Sequence, residues 1–227
     1  MVSFGLITEG LTDQIVIEDI LSGYFDSDDI IINPLQPERD KDDENKSVSG
    51  GWTLVFKYCQ SSDFREAFQF NEYVIIQIDT DVSEETNYDI LKRDENGEEL
   101  TTAQLIEKVK EKFKGLIGED FYVRYNEKII FAITVHSIEC WLLPLYYRDN
   151  RKEKITNCLS TLNQELVKRE KFTIDVNKKN PEYYRKVSRQ YCKQKVLMKL
   201  YQENPSLKIF IQEIEKRNIA IEDDNLE

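Results

Sequence analysis

Histidine is nearly absent: His136 is the only one in 227 residues. A histidine-based nuclease or a Ser-His-Asp triad therefore has little to build on. A lone histidine at a strand end reads as packed or capped before it reads as catalytic. The four cysteines, Cys59, Cys140, Cys158 and Cys192, are scattered and form no Cys-x-x-Cys pair. Zinc ribbons and dithiol redox motifs are thus unsupported, and the four read as reduced thiols of a cytoplasmic protein. No apolar run approaches the length of a membrane span, so no membrane is expected as a partner. The first residues carry no basic stretch leading into an apolar one, so no secretory signal is expected.

What is present is enough for one α/β core with an extension. The net charge of −12 conceals a strong asymmetry. Residues 1–147 hold 13 Lys and Arg against 30 Asp and Glu, whereas residues 148–217 hold 18 against 9. An acidic part suited to metal ions precedes a basic part suited to a polyanion, or simply a solvated basic helical surface.

Residues 2–7 form a short apolar run that reads as a buried strand ending at Thr8-Glu9-Gly10. Thr12 is placed to cap a helix whose Ile17, Ile20, Leu21 and Tyr24 share a face. Residues 30–33 suggest a second strand, and residues 36–51, polar and ending in Gly50-Gly51, a mobile loop. A helix is expected within 52–68. Residues 74–78 are the clearest strand, ending at Asp79-Thr80-Asp81. After an acidic loop, Thr101 and Gln104 make a capping-box pattern, ahead of a helix carrying Leu105, Val109, Leu116 and Ile117. Residues 128–135 read as a strand, followed by a helix with Ile138, Trp141, Leu142 and Leu145. Beyond residue 150 only helical patterns remain, with Pro181 at a first helical position. The expectation is an α/β fold: a Rossmann-like, mostly parallel sheet with helices on both faces, plus a C-terminal all-helical extension. The boundaries are 1–150 for the sheet domain and 151–227 for the basic helical extension packed on it.

Ligands of such sheets bind beyond the carboxyl ends of the strands. Three strands carry acids there: Glu9 after the first, Asp79 and Asp81 after the third, Glu139 just past the fourth. Convergent carboxylates repel, and a divalent cation neutralises them best; hard oxygen ligands suit magnesium or manganese. Taken singly, Glu9, Asp13 and Glu139 also fit the acids that helix N-termini favour through the dipole. The strand-end pattern is what raises them together.

These residues resemble a known family. Thr8-Glu9-Gly10-Leu11-Thr12-Asp13 is similar to the first motif of TOPRIM domains, and its Glu-x-x-x-Asp spacing to that of the OLD (overcoming lysogenization defect) nucleases. Ile78-Asp79-Thr80-Asp81 resembles the TOPRIM Asp-x-Asp motif. Ser137-Ile138-Glu139-Cys140-Trp141-Leu142-Leu143 and Gly50-Gly51-Trp52 resemble segments of small stand-alone TOPRIM-like proteins of bacteria. The resemblance spans about residues 2–145. It implies a TOPRIM-type, metal-dependent nuclease: Glu9, Asp79 and Asp81 bind magnesium, Asp13 and Glu139 complete a second metal position, and Glu9 doubles as a general base or acid. It also implies a lysine near the transition-state charge. Lys193 and Lys195 in the basic helix are the nearest candidates, Lys193 being the expected catalytic one, although no motif aligns them.

Relatives of this kind act in antiphage defence with an ABC- or SMC-like ATPase. Gly-x-x-x-x-Gly-Lys-Ser/Thr is missing here, so that ATPase would be a separate partner. DNA stands ahead of RNA as substrate, and a homo-oligomer is open. Tyr183, Tyr184, Tyr191 and the cations among them read either as a strand-binding face or, for the tyrosines, as core. Three rivals stand beside the nuclease: a magnesium-dependent phosphatase using Asp79 as nucleophile, since Asp79-Thr80-Asp81-Val82 resembles the haloacid-dehalogenase loop; a topoisomerase- or primase-like enzyme; and a non-catalytic TOPRIM-like partner or sensor subunit.

Overall fold

The computed structural model describes residues 1–39 and 50–221; most of the loop expected before Gly50-Gly51 therefore lies outside the described residues. Four strands, β1 (Val2–Ile7), β2 (Ile30–Gln36), β3 (Tyr73–Asp79) and β4 (Ile129–Thr134), pair entirely in parallel in the order β2-β1-β3-β4. β1, β3 and β4 are apolar nearly throughout because both of their faces are covered. Side chains alternate between the faces. Phe4, Leu6, Ile75 and Ile130 join one apolar cluster, while Ile7, Val74, Ile76, Ile78 and Phe131 join the other. β2 is an edge strand that tolerates Pro34. Each fully buried Ile or Phe contributes about 2–3 kcal/mol relative to exposure.

α1 (Leu11–Phe25) packs on the first face, while α2 (Trp52–Gln60), α3 (Ser62–Phe70), α4 (Thr102–Ile117) and α5 (Glu119–Tyr125) build the second. The chain thus leaves β1 toward β2 over one face and returns past β1 to β3 over the other. The crevice between the carboxyl ends of β1 and β3 is the switch point of the sheet, where parallel α/β folds bind ligands.

After α6 (Glu139–Tyr146), the tail forms α7 (Cys158–Arg169), α8 (Pro181–Ser188), α9 (Gln194–Leu200) and α10 (Pro205–Glu215). Its Leu162, Tyr184, Val187, Tyr191, Leu207 and Phe210 share the first cluster with α1 and α6. The extension therefore continues the sheet's own core. No helix among the described residues is long and apolar enough to cross a membrane.

Several local expectations change. Gly10, not Thr12, stands at the N-cap of α1; Thr12 lies buried within the first turn. α1 is buried almost all round over Leu11–Ile17 rather than on one face, because α8 and α9 cover the side away from the sheet. The helix expected within 52–68 is two helices broken at Ser61, whose hydroxyl accepts the Phe64 N–H at 3.3 Å. The Thr101–Gln104 capping box is present at the start of α4. The cysteines are not all thiols: Cys140 and Cys158 form a disulfide, their Cα atoms 4.9 Å apart, leaving Cys59 and Cys192 free. α6 packs on α7, which brings together two cysteines that no sequence motif pairs.

Candidate active site at the sheet switch point

Glu9 lies two residues past the end of β1, and Asp79 ends β3, the parallel strand paired beside it. Gln77 joins them. Lying two residues before Asp79 on the same face, it donates from Nε2 to Asp79 Oδ1 (2.9 Å) and accepts the Glu9 N–H at Oε1 (3.1 Å). Glu9 Oε1 in turn accepts the Asp79 N–H at 2.6 Å. Thr134, paired with Asp79 across β3 and β4, donates its hydroxyl to Asp79 Oδ1. Beneath them Tyr88, buried in the 82–100 loop, donates to the Asp79 carbonyl at 2.8 Å. That loop, expected to be acidic and polar, is pinned to the strand end it follows.

Asp13 sits on the first turn of α1 and faces the same crevice. It is 4% exposed, and its Oδ1 has no hydrogen-bond partner among the described residues. A buried carboxylate oxygen without a donor is costly unless a cation approaches it. The crevice, about 720 Å³, is lined by Glu9, Asp13, Asp79, Gly50, Gly51 and Lys179. A second hollow of about 670 Å³, lined by Asp81, His136, Ser137 and Glu139, adjoins it; Lys179 and Val176 line both.

Lys179 is the residue that sequence reasoning missed. It lies just before α8, and its Nζ donates to Glu139 Oε1 at 2.8 Å. The Tyr184 hydroxyl donates to the same oxygen. Lys179 has no local signature; it is one of two adjacent lysines ahead of Asn180-Pro181, and only the packing of α8 on α1 carries it into the crevice. Gln77 had a readable signal, since a glutamine inside an otherwise apolar buried strand must be hydrogen-bonded.

The electrostatics follow from burial and crowding. Burial, then the Asp13 charge, pushes the Glu9 carboxyl up to about 8, against the pull of the Asp79 N–H. Burial pushes Asp13 up to about 6, with Lys179 opposing and Glu139 adding. Asp79 is raised well above its ordinary value by burial, then by Asp13 and Glu9. Glu139 is the exception: burial would raise it, but the Lys179 ammonium and the donors around it hold it below the usual carboxylate range.

Asp81 stands apart. It is exposed, its Oδ1 accepts the Val82 N–H at 2.8 Å, and it faces the second hollow. As placed, no three His, Cys, Asp or Glu side chains among the described residues form a set that could hold a metal ion. His136, in a left-handed turn (φ 71°), knits β4 to β3: its carbonyl accepts the Thr80 and Asp81 N–H groups at 2.9 and 3.0 Å. The His136 Nδ1 is buried without a hydrogen-bond partner among the described residues.

Lys193 is not brought to this site. It is exposed ahead of α9, next to Cys192, whose thiol reaches Asp19 on α1 at 3.0 Å. The preceding turn packs on Gly23, about 15 Å along α1 from Asp13 at 1.5 Å per residue. The reason is the fold of the tail: the chain passes the site at residue 179 and then runs along α1 away from it. Lys195 is also exposed there. Tyr184 and Tyr191 are fully buried, and Tyr183 stacks on Phe172 at 4.1 Å, so these tyrosines serve packing rather than an open stacking face. Several tail cations are paired locally, Lys168 and Arg169 with Glu165 and Lys186 with Glu170; exposed pairs of this kind contribute little to stability.

The glycine pair seals the crevice. The Gly51 N–H donates to the Glu9 carbonyl at 2.6 Å, and a Cβ on Gly50 would lie 2.3 Å from that oxygen. Gly50→Ala is therefore expected to push the segment off Glu9 and cost about 1–3 kcal/mol. Gly115→Ala, in α4 where a Cβ meets nothing within 4 Å, should instead be neutral or stabilising by about 0.5–1 kcal/mol. Chemical denaturation of the two variants checks the contrast.

Fold and site define a class: a parallel α/β protein whose switch-point crevice carries crowded, buried carboxylates and one lysine. No family model matches the chain, and no curated protein or solved structure matches it.

Proposed function

We propose that this protein is a metal-dependent nuclease that hydrolyses nucleic-acid phosphodiester bonds, with DNA as the first substrate class to test. The observation that carries the reading is the convergence of Glu9, Asp13 and Asp79 on one crevice at the sheet switch point, with carboxyls driven up by burial and mutual repulsion and one oxygen of Asp13 left without a donor. A site of this kind is poorly stable as a set of anions and well suited to a hard cation. Magnesium or manganese would be held by Glu9 and Asp79, each of which has one carboxylate oxygen outside the hydrogen bonds just described, and by Asp81 once its side chain turns from Val82. Such an ion polarises a phosphate and acidifies bound water.

The chain's own residues supply the rest. Gln77 and Thr134 orient Asp79. Glu9 presents Oε2 to the ion, its Oε1 being held by the Asp79 N–H. Lys179 neutralises charge beside the phosphate. The TOPRIM resemblance adds an antiphage role, a separate ABC- or SMC-like ATPase and a cytoplasmic setting to the proposal. The Cys140–Cys158 disulfide would be unusual in that setting.

One observation favours a second reading, a non-catalytic TOPRIM-like partner subunit: the carboxylates do not stand as a preassembled metal set, and Lys179 already lies among them. The phosphatase reading is weaker, because Asp79 Oδ1 is engaged by Thr134 and Gln77 and its raised carboxyl is a poor nucleophile.

Cleavage of plasmid DNA, single-stranded DNA and RNA with magnesium, manganese or EDTA decides among them. Metal-dependent cutting by the wild type, lost in Glu9→Gln and Asp79→Asn, is the expected result. Cutting that survives both substitutions removes the proposed site. No cutting, even with an ATPase encoded alongside, leaves the partner-subunit reading.

A further inference from the structure

We propose that Lys179 occupies the place of a second metal ion, so that the site binds one divalent cation per chain, with Glu139 serving as the counter-ion of the lysine. This rests on the metal-dependent reading above and specifies its stoichiometry. It departs from the two-metal arrangement, with Asp13 and Glu139 completing the second position, that the sequence resemblance implies.

The first support is that Glu139 is already committed. Its Oε1 receives Lys179 Nζ at 2.8 Å and the Tyr184 hydroxyl. Its side chain is 2% exposed. A carboxylate whose charge is already met by an ammonium on one of its oxygens gains little from a second dication, which that ammonium repels. The second is position. The ammonium lies on the partition between the two hollows, and its charge acts on Glu139, Asp13 and Asp79 together. Paired catalytic metals stand about 3.5–4 Å apart. The ammonium, bonded to Glu139 and bordering the crevice that Asp13 and Asp79 line, opposes a second dication there by volume and by repulsion.

The third is anchoring. Lys179 precedes Asn180, whose side chain accepts the Glu182 N–H at 3.0 Å and starts α8. Tyr184 and Val187 bury α8 against α1. Upstream, Asn163 clamps Ile174 by two hydrogen bonds of 2.8 and 2.9 Å. The backbone on both sides of Lys179 is held, so the lysine is delivered to the acids by the fold. The unpartnered oxygen of the buried Asp13 lies on the Glu9 side of the partition, where the single ion would sit.

The test counts Mn²⁺ bound per chain, by paramagnetic resonance and by titration calorimetry, with no substrate present. The wild type is expected to bind one ion and to show no manganese–manganese coupling. Lys179→Met, which removes the charge and keeps the length, is expected to bind two, with coupling visible. Lys179→Arg should remain at one. Because Lys179→Met leaves Glu139 buried without its cation, folding is checked by circular dichroism, and Glu139→Gln provides an independent arm: it should keep one ion, whereas Asp79→Asn should bind none. Two ions in the wild type, one ion in a folded Lys179→Met, or loss of the ion in Glu139→Gln would each overturn the proposal while leaving the metal-dependent reading intact. No ion bound by any form would overturn both.

Discussion

Asp79→Asn is expected to make the metal-free protein more stable at neutral pH and to abolish metal-dependent cleavage. The two effects have one cause. Asp79 is buried against Asp13 and Glu9, and its carboxyl is raised well above the ordinary value by burial first and by those charges second. At pH 7 the unfolded chain carries the aspartate ionised, whereas the native chain must either protonate it or hold the charge. Asparagine removes that cost. Its carbonyl oxygen can still accept from Gln77 and Thr134, as Asp79 Oδ1 does. A gain of about 0.5–2 kcal/mol is typical of relieving one strained interaction, which for a chain of this size raises Tm by roughly 1–8 °C. Cleavage should fall by more than about 100-fold, beyond the loss usual for groups that only support a metal ligand. Thermal melts with EDTA, alongside the cleavage assay, read both. Destabilisation together with lost cleavage would mark Asp79 as structural.

The second large effect is in pH. Glu9 titrates near 8 in the native protein against an ordinary 4.5, and Asp13 near 6 against 3.8. Between each pair of values the native chain keeps a proton that the unfolded chain has lost. Stability therefore falls as pH rises across that window, by up to about 1.4 kcal/mol per pH unit for one such group, and levels off above the native value. Most acid-sensitive proteins behave the opposite way, because paired carboxylates are depressed in the folded state. Glu139 is of that usual kind, but its contribution is lost only below the ordinary carboxylate range. His136, lowered chiefly by burial, works against the trend as it loses its proton. Metal-free protein is expected to be more resistant to urea at pH 5 than at pH 8, and Glu9→Gln should flatten the slope. Saturating magnesium should raise Tm more at pH 8 than at pH 6, since the ion binds the deprotonated carboxylates. A magnesium effect that does not change with pH would detach the ion from these acids.

Much of the frame was legible before any coordinates. β1, β3 and β4 announce themselves as apolar runs because strands covered on both faces leave no polar side. The acids at their ends stand out against that background, and parallel strands necessarily present those ends together. Glu9, Asp79 and the neighbouring Asp13 meet for that reason. Asp81, two residues past the end of β3, follows the same pattern yet turns to Val82 and the adjoining hollow. Alternation settles which way a side chain faces inside a strand and lapses where the strand stops.

What only the tertiary structure decided concerns contacts between segments remote in sequence. Lys179 enters the site from the tail, and Lys193, equally basic and in a helix-rich stretch, is carried past it along α1. Nothing local separates the two lysines; the packing of α8 on α1 does. Cys140 and Cys158 meet because α6 lies on α7, and the outer face of α1 is apolar because the tail covers it. Strand identity is written in short-range periodicity, which one chain displays by itself. The partner of a buried charge is set by which surfaces close over it, and that depends on the whole fold.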